Sequence, residues 1–114
     1  MEIIIYGAGK IGGLVYKAAL QSNHSVRAVW DEKPDACLQF PNRSIITQPN
    51  LELINHLERG TVAVYVCIFS PSIAKHVGEQ IRSKGFTNVI DDRSDISRFL
   101  ESDCRNTLSK FQRK

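Results

Sequence analysis

No apolar run in this 114-residue sequence approaches the roughly 20 residues needed to cross a bilayer, so no membrane partner is expected. The chain opens on Glu2-Ile3-Ile4-Ile5-Tyr6, which lacks the basic segment and apolar stretch of a secretory signal, and a cytoplasmic location is expected. Cysteine is scarce. Cys37, Cys67 and Cys104 are odd in number and share no close spacing, which signals neither a disulfide framework nor a zinc site. Histidine is equally thin, and no Ser/His/Asp, Cys/His or metal-ligand constellation can be assembled, so the sequence names no catalytic residue and no metal.

An excess of one charge is also missing from most of the chain. Residues 1–97 hold ten Lys/Arg against ten Asp/Glu, and the net +3 arises in residues 98–114, through Arg98, Arg105, Lys110, Arg113 and Lys114 against Glu101 and Asp103. A neutral body with a basic tail lacks the broad cationic face that phosphate-backbone binding requires, so nucleic acid is not the expected partner. There is no internal repeat, linker or low-complexity segment, and residues 1–114 read as one domain. A nicotinamide-dependent dehydrogenase needs a cofactor domain and a second region for substrate, and this length has no room for the second.

What remains is alternation. Strand-length apolar runs are separated by segments of helical period, the pattern of an α/β domain with a parallel sheet. Residues 2–6 read as a first strand, and Lys10 to about Ser22 as a helix with Ile11, Leu14, Val15, Ala18 and Ala19 on its inner stripe. His24–Trp30 reads as a second strand, Asp31–Arg43 as a loop and Ser44–Thr47 as a short third strand. A helix is expected over Leu51–Arg59 behind an Asn50 cap. Thr61–Phe69 is the most apolar run and the expected central strand. Ser70-Pro71 opens a helix carrying Ile73, Val77 and Ile81 inward and stopping at Gly85. Val89-Ile90 marks a fifth strand, and a last helix over 93–114 carries Ile96, Leu100, Cys104, Leu108 and Phe111 along one stripe. Right-handed crossovers then give the strand order 3-2-1-4-5, with a crevice over strands 1 and 4 where the winding reverses.

The chemistry-bearing motif is Gly7-Ala8-Gly9-Lys10-Ile11-Gly12, placed between the first strand and the first helix. Gly7 allows a tight turn, Gly9 leaves space for a phosphate to reach the backbone, and Gly12 lets the helix approach the strand. The helix start offers free amides and a positive dipole end to an anion, and Lys10 adds a flexible charge. Asp31, at the end of the second strand, is placed to accept a ribose hydroxyl or to stand as a solvated carboxylate. Glu32 adds negative charge there and Lys33 softens it. Trp30 is placed either to stack on a base or to pack. Ser70 and Ser72 reach the crevice or serve as cap residues, and His76 reads as a solvated helical residue. Asp91 and Asp92 either face the crevice or cap the last helix. That helix, apolar along one side and basic at its end, suits a homodimer contact or a connection to a catalytic domain.

With IIIYGAGKIGGLVYKAAL, HSVRAVWDEKP and VYVCIFSPSIAKHVGEQIRSKGFTNVID, the chain resembles the Rossmann-like N-terminal nucleotide-sugar-binding domain of bacterial sugar acyltransferases. It is similar also to the domain preceding FkbM-type methyltransferases. The resemblance covers roughly residues 1–95. It implies a three-layer fold that grips the nucleotide of a UDP-sugar, with Gly7, Gly9 and Gly12 in the phosphate loop and Asp31 near the nucleoside. In those relatives a separate left-handed β-helix supplies acetyl-CoA and the catalytic histidine. Two departures stand out: the loop reads Gly-Ala-Gly-Lys where Gly-Gly-His is common, and no hexapeptide repeats come after the domain. The resemblance therefore implies a nucleotide-binding module of polysaccharide biosynthesis, non-catalytic alone, with UDP-sugar or NAD(P) as the expected ligand. An NAD-responsive regulatory domain and a structural domain without a ligand are the alternatives.

Overall fold

The computed structural model describes residues 1–112, with side chains through Ser102. Five parallel strands run in the order β3-β2-β1-β4-β5, as the alternation predicts: β1 Glu2–Tyr6, β2 Ser25–Trp30, β3 Ile46–Thr47, β4 Ala63–Val66 and β5 Asn88–Ile90. The helices are α1 Lys10–Gln21, α2 Pro71–Ser83 and α3 Arg93–Gln112. Successive side chains in a strand point to opposite faces, and each face of this sheet has its own core. Ile3, Ile5, Val29 and Tyr65 pack with α1 and α3. Ile4, Trp30, Val64 and Val66 pack with α2 and with Ile54 of the β3–β4 connection. The result is a three-layer Rossmann-like α/β domain. The expected positions Cys104, Leu108 and Phe111 lie outside the described side chains.

β2 departs from simple alternation. The β1–β2 register runs Ile3↔Val26 and then Ile4↔Ala28, so Arg27 is an extra residue on its strand. Such a bulge reverses the facing of the residues beyond it, and Trp30 consequently faces the α2 layer. Arg27 itself turns outward, where its guanidinium meets Glu58 at 2.5 Å and Glu2 at 3.2 Å.

Several expected elements are shorter than their patterns. β4 is the four-residue heart of the 61–69 run, and Ser44 and Ile45 belong to a 3-10 turn over Arg43–Ile45. Leu14 and Ile73 are exposed rather than inward, because α1 buries the face of Gly12, Val15 and Ala19, and α2 that of Ala74, Gly78 and Ile81. Small residues let both helices sit close to the sheet. At Gly78 an added Cβ would lie 2.2 Å from Asp91 Oδ2.

The predicted helix over Leu51–Arg59 does not form. Only Leu51–Leu53 makes a 3-10 turn, and the chain then winds through turns to Gly60. Asn55 redirects it: its side-chain oxygen accepts Leu57 N at 3.0 Å, and its carbonyl accepts Glu58 N and Arg59 N, the local bonding by which asparagine competes with helix. Arg59, only 3% exposed, then supplies what a helix ladder would have supplied. Its Nε donates to Ile54 O at 2.9 Å, Nη1 to Lys84 O at 2.7 Å and Nη2 to Leu51 O at 3.1 Å, and the guanidinium lies over the Phe86 ring. One side chain thus ties the crossover to the end of α2. Arg59→Ala removes three donors at once and strands the Ile54 and Lys84 carbonyls, Leu51 O keeping Ile54 N. Its expected cost in chemical denaturation is about 3 kcal/mol. Lysine, with a single ammonium, restores only a minor part of that loss.

Candidate functional site

At the carboxyl end of β1 the chain turns sharply. Gly7 has φ +106°, a region L side chains rarely adopt, and a Cβ there would stand 2.8 Å from Cys67 O. Its N–H donates to Trp30 O at 2.7 Å, and Cys67 N donates to Tyr6 O at 2.7 Å, so the turn is pinned from both neighbouring strands. Gly12 is more constrained still. Its Cβ would fall 2.0 Å from Gly7 O and 3.3 Å from Ile5 Cγ2, so only glycine lets α1 begin directly over the strand it follows. Gly9 differs from both, since a Cβ there meets nothing within 4 Å.

Gly9 is the N-cap of α1. No side chain caps this end, and its first turn carries no acidic residue. The amides of Gly9, Lys10, Ile11 and Gly12 are those a helix leaves without intrahelical partners, and the aligned peptide dipoles favour an anion beside them. The loop's preceding amide is already used: Ala8 N donates to Asp31 Oδ2 at 2.9 Å, while Lys33 N donates to Asp31 Oδ1 at 2.8 Å. Asp31 is therefore not a free solvated carboxylate. It ties the β2 end to the glycine loop.

Beside this turn lies a cleft of about 220 Å³ lined by Tyr6, Gly7, Asp31, Glu32, Ile68, Ile73 and Val77. One wall is acidic and the other apolar, at the point where strand order reverses. Tyr6 packs edge-on against Trp30, with ring centroids 6.3 Å apart. Burial and then the charges of Glu32 and Asp31 push its phenol above the usual tyrosine value.

The expected site residues are partly brought together. Gly7 and Asp31 meet at the cleft, with Ala8 and Gly9 beside it. Lys10 lines a separate hollow of about 120 Å³ with Lys17 and Pro41 along the flank of α1, and Ile11 lies toward Phe69 and Arg93. Trp30 cannot stack on a base: it is fully buried among Ile4, Val64 and Val66, and its Nε1–H has no hydrogen-bond partner among the described residues. Ser70 is the residue before α2, but its hydroxyl makes no capping bond and instead faces the Ser72 hydroxyl at 3.2 Å. His76 is exposed. Asp92 is a cap: its carboxylate accepts Ser94 N at 2.8 Å and the Ser94 hydroxyl at 2.5 Å, which holds it below the ordinary aspartate range. Asp91 pairs with Arg82 at 2.9 Å.

Tyr6, Ile68, Ile73 and Val77 carry no functional signal in the sequence, because apolar residues at strand ends and at i, i+4 on a helix read as core. Exposure of Ile73, at 54%, distinguishes it. Among the described residues no group of three His, Cys, Asp or Glu is arranged to hold a metal ion, and no helix is long and apolar enough to cross a membrane. Comparison of the chain with protein-family models, with curated proteins and with solved structures finds no match, so its class is defined by topology and site alone.

The two described thiols, Cys37 and Cys67, are chemically quiet. Burial, then the nearby Asp31 carboxylate, pushes Cys37 up to about 11, and burial alone pushes Cys67 up to about 12. A thiol whose pKa rises on folding stabilises the native state below its unfolded value of 9.0 and withdraws that support as pH climbs through the folded value. Stability is therefore expected to fall between about pH 9 and pH 12, as followed by denaturant midpoints. At pH 8, iodoacetamide should leave Cys37 and Cys67 unlabelled in the native protein and label both once it is unfolded, as read by peptide mass spectrometry.

Proposed function

We propose that this domain binds a nucleotide, as a nucleotide-sugar or dinucleotide, and acts as the binding module of a sugar-modifying transferase system without catalysing a reaction by itself. The observation that carries this reading is the uncapped start of α1, open at Gly9 and set beside a cleft with one acidic and one apolar wall. Phosphates belong at the amides of Gly9 to Gly12, where the helix dipole favours negative charge. The ribose belongs at Asp31 and Glu32, whose paired charges disfavour a phosphorylated ribose and so favour NAD over NADP among dinucleotides. The base belongs against Ile68, Ile73 and Val77, an apolar surface suited to a flat ring.

The likeness to the nucleotide-sugar domains of bacterial acyltransferases and to those ahead of FkbM-type methyltransferases supplies the sugar-modifying context, in surface-polysaccharide synthesis. The catalytic groups would come from a partner domain, either covalently linked through α3 or on a second chain. NAD-dependent regulation is the second reading. The bond from Ala8 N to Asp31 favours it, since a ligand competing for Asp31 would loosen the glycine loop and pass binding on to the fold.

Gly9→Val is the decisive variant, because the side chain enters open space in the folded protein yet occupies the place of the phosphate. The wild type should gain about 2.7 kcal/mol of stability at a hundred times the dissociation constant of its nucleotide, read as a rise in Tm across UDP-sugars, NAD and NADP. Gly9→Val should melt near the unliganded wild type and show no rise. A full ligand-induced rise in Gly9→Val would remove the phosphate site from these residues. Asp31→Ala should weaken binding at least several-fold by deleting the ribose acceptor and slackening the turn, as isothermal titration would register.

A further inference from the structure

On the other side of β1 the crevice is closed between α1 and α3, and a separate hollow of about 300 Å³, lined by Pro71, Lys75, Asp91, Asp92 and Arg93, lies on the flank of α2 away from the cleft. Phe69, just beyond β4, is 79% exposed, yet its carbonyl accepts Arg93 Nη2 at 2.8 Å, and the Arg93 guanidinium lies over its ring 5.0 Å from the centroid. Arg93 is the first residue of α3, separated from β5 only by Asp91 and Asp92, so this contact straps together the loops that leave two neighbouring strands. Beneath the strap, Ile11 of α1, Val66, Ile68 and Ile96 of α3 enclose a hollow of only about 20 Å³. That space is of the order needed for one water. Ile68 is common to both sides and forms the ridge between this hollow and the cleft of about 220 Å³.

A ligand with a nucleoside at each end of a pyrophosphate lies across the switch point, one nucleoside on each side of β1. Here one side is open and lined by acid and apolar wall, and on the other the space between α1 and α3 is filled by side chains. We propose that the Arg93–Phe69 strap makes this site specific for a single nucleoside carrying its phosphates, and that it rejects a second nucleoside beyond them. This rests on the nucleotide-binding reading above and narrows it. A dinucleotide enters only if Phe69 swings away from Arg93, which breaks one hydrogen bond and one cation–π contact and exposes the apolar hollow to solvent.

The test compares dissociation constants by isothermal titration for two matched pairs, ADP with NAD and UDP with diuridine diphosphate. Each member of a pair shares the near half of its partner, so the pairs are blind to which base the cleft prefers. In the wild type the two-nucleoside member of the pair that binds is expected to bind about tenfold more weakly, or worse, than the mononucleotide. In Phe69→Ala/Arg93→Ala that ratio is expected to shrink toward one. Removing the Arg93 charge by itself weakens the more highly charged mononucleotide, so the ratio must shrink likewise in Phe69→Ala alone, which keeps that charge. A ratio that shrinks only when Arg93 is removed overturns the strap's role. Both side chains are exposed, and an unchanged melting temperature of the unliganded variant verifies that the fold survives. Equal or tighter binding of the two-nucleoside ligand by the wild type overturns the strap's role while leaving nucleotide binding intact, as does a ratio unmoved by the double substitution. Failure of all four ligands to bind removes the nucleotide-binding reading and this inference with it.

Discussion

The approach of Gly12 to the Gly7 carbonyl is the contact on which the site is built. With a virtual Cβ only 2.0 Å from that oxygen, no other residue lets α1 start directly above the strand that precedes it. The short distance between strand and helix aims the helix's unpaired amides at the crevice, and the positive φ of Gly7 keeps the turn tight enough for Asp31 to reach Ala8. The turn thus uses its three glycines in different ways. Two are fixed by steric contact, while Gly9 is left open on the side that faces outward.

Asp31 joins two stretches of backbone through one side chain. Each of its oxygens accepts a backbone N–H, so the carboxylate is held in place while lone pairs remain for a further donor. A group fixed in advance loses little freedom when a ligand arrives, which is the general benefit of preorganisation. The same bond occupies one loop amide, so the glycine loop and the acid act as a unit in which a change at either is felt at the other.

The strand order, the glycine turn and the position of the acid are legible in the sequence because each obeys local rules: period, turn chemistry and crossover handedness. Where sequence and structure differ, the common cause is tertiary context. The sequence leaves Trp30 open between stacking on a base and packing; the extra residue at Arg27 reverses the facing of the strand's last half and sends the indole under α2. The segment 51–59 has acceptable helical period, yet a local Asn55 turn and the three carbonyls gathered by Arg59 win over it. Ile73 has core spacing and lines the cleft instead, because α2 rolls onto Ala74, Gly78 and Ile81. The Asn55 turn is local, but the bond from Arg59 to Lys84 and the facing of Trp30 depend on partners far along the chain.

The two outermost strands, Ile46–Thr47 and Asn88–Ile90, are only two and three residues long. Such abbreviated rims present very few open amides and carbonyls, far short of the ladder that would recruit a foreign strand. The sheet is in effect self-limiting: it widens through its buried middle and tapers to margins that give amyloid-like growth almost nothing to grip.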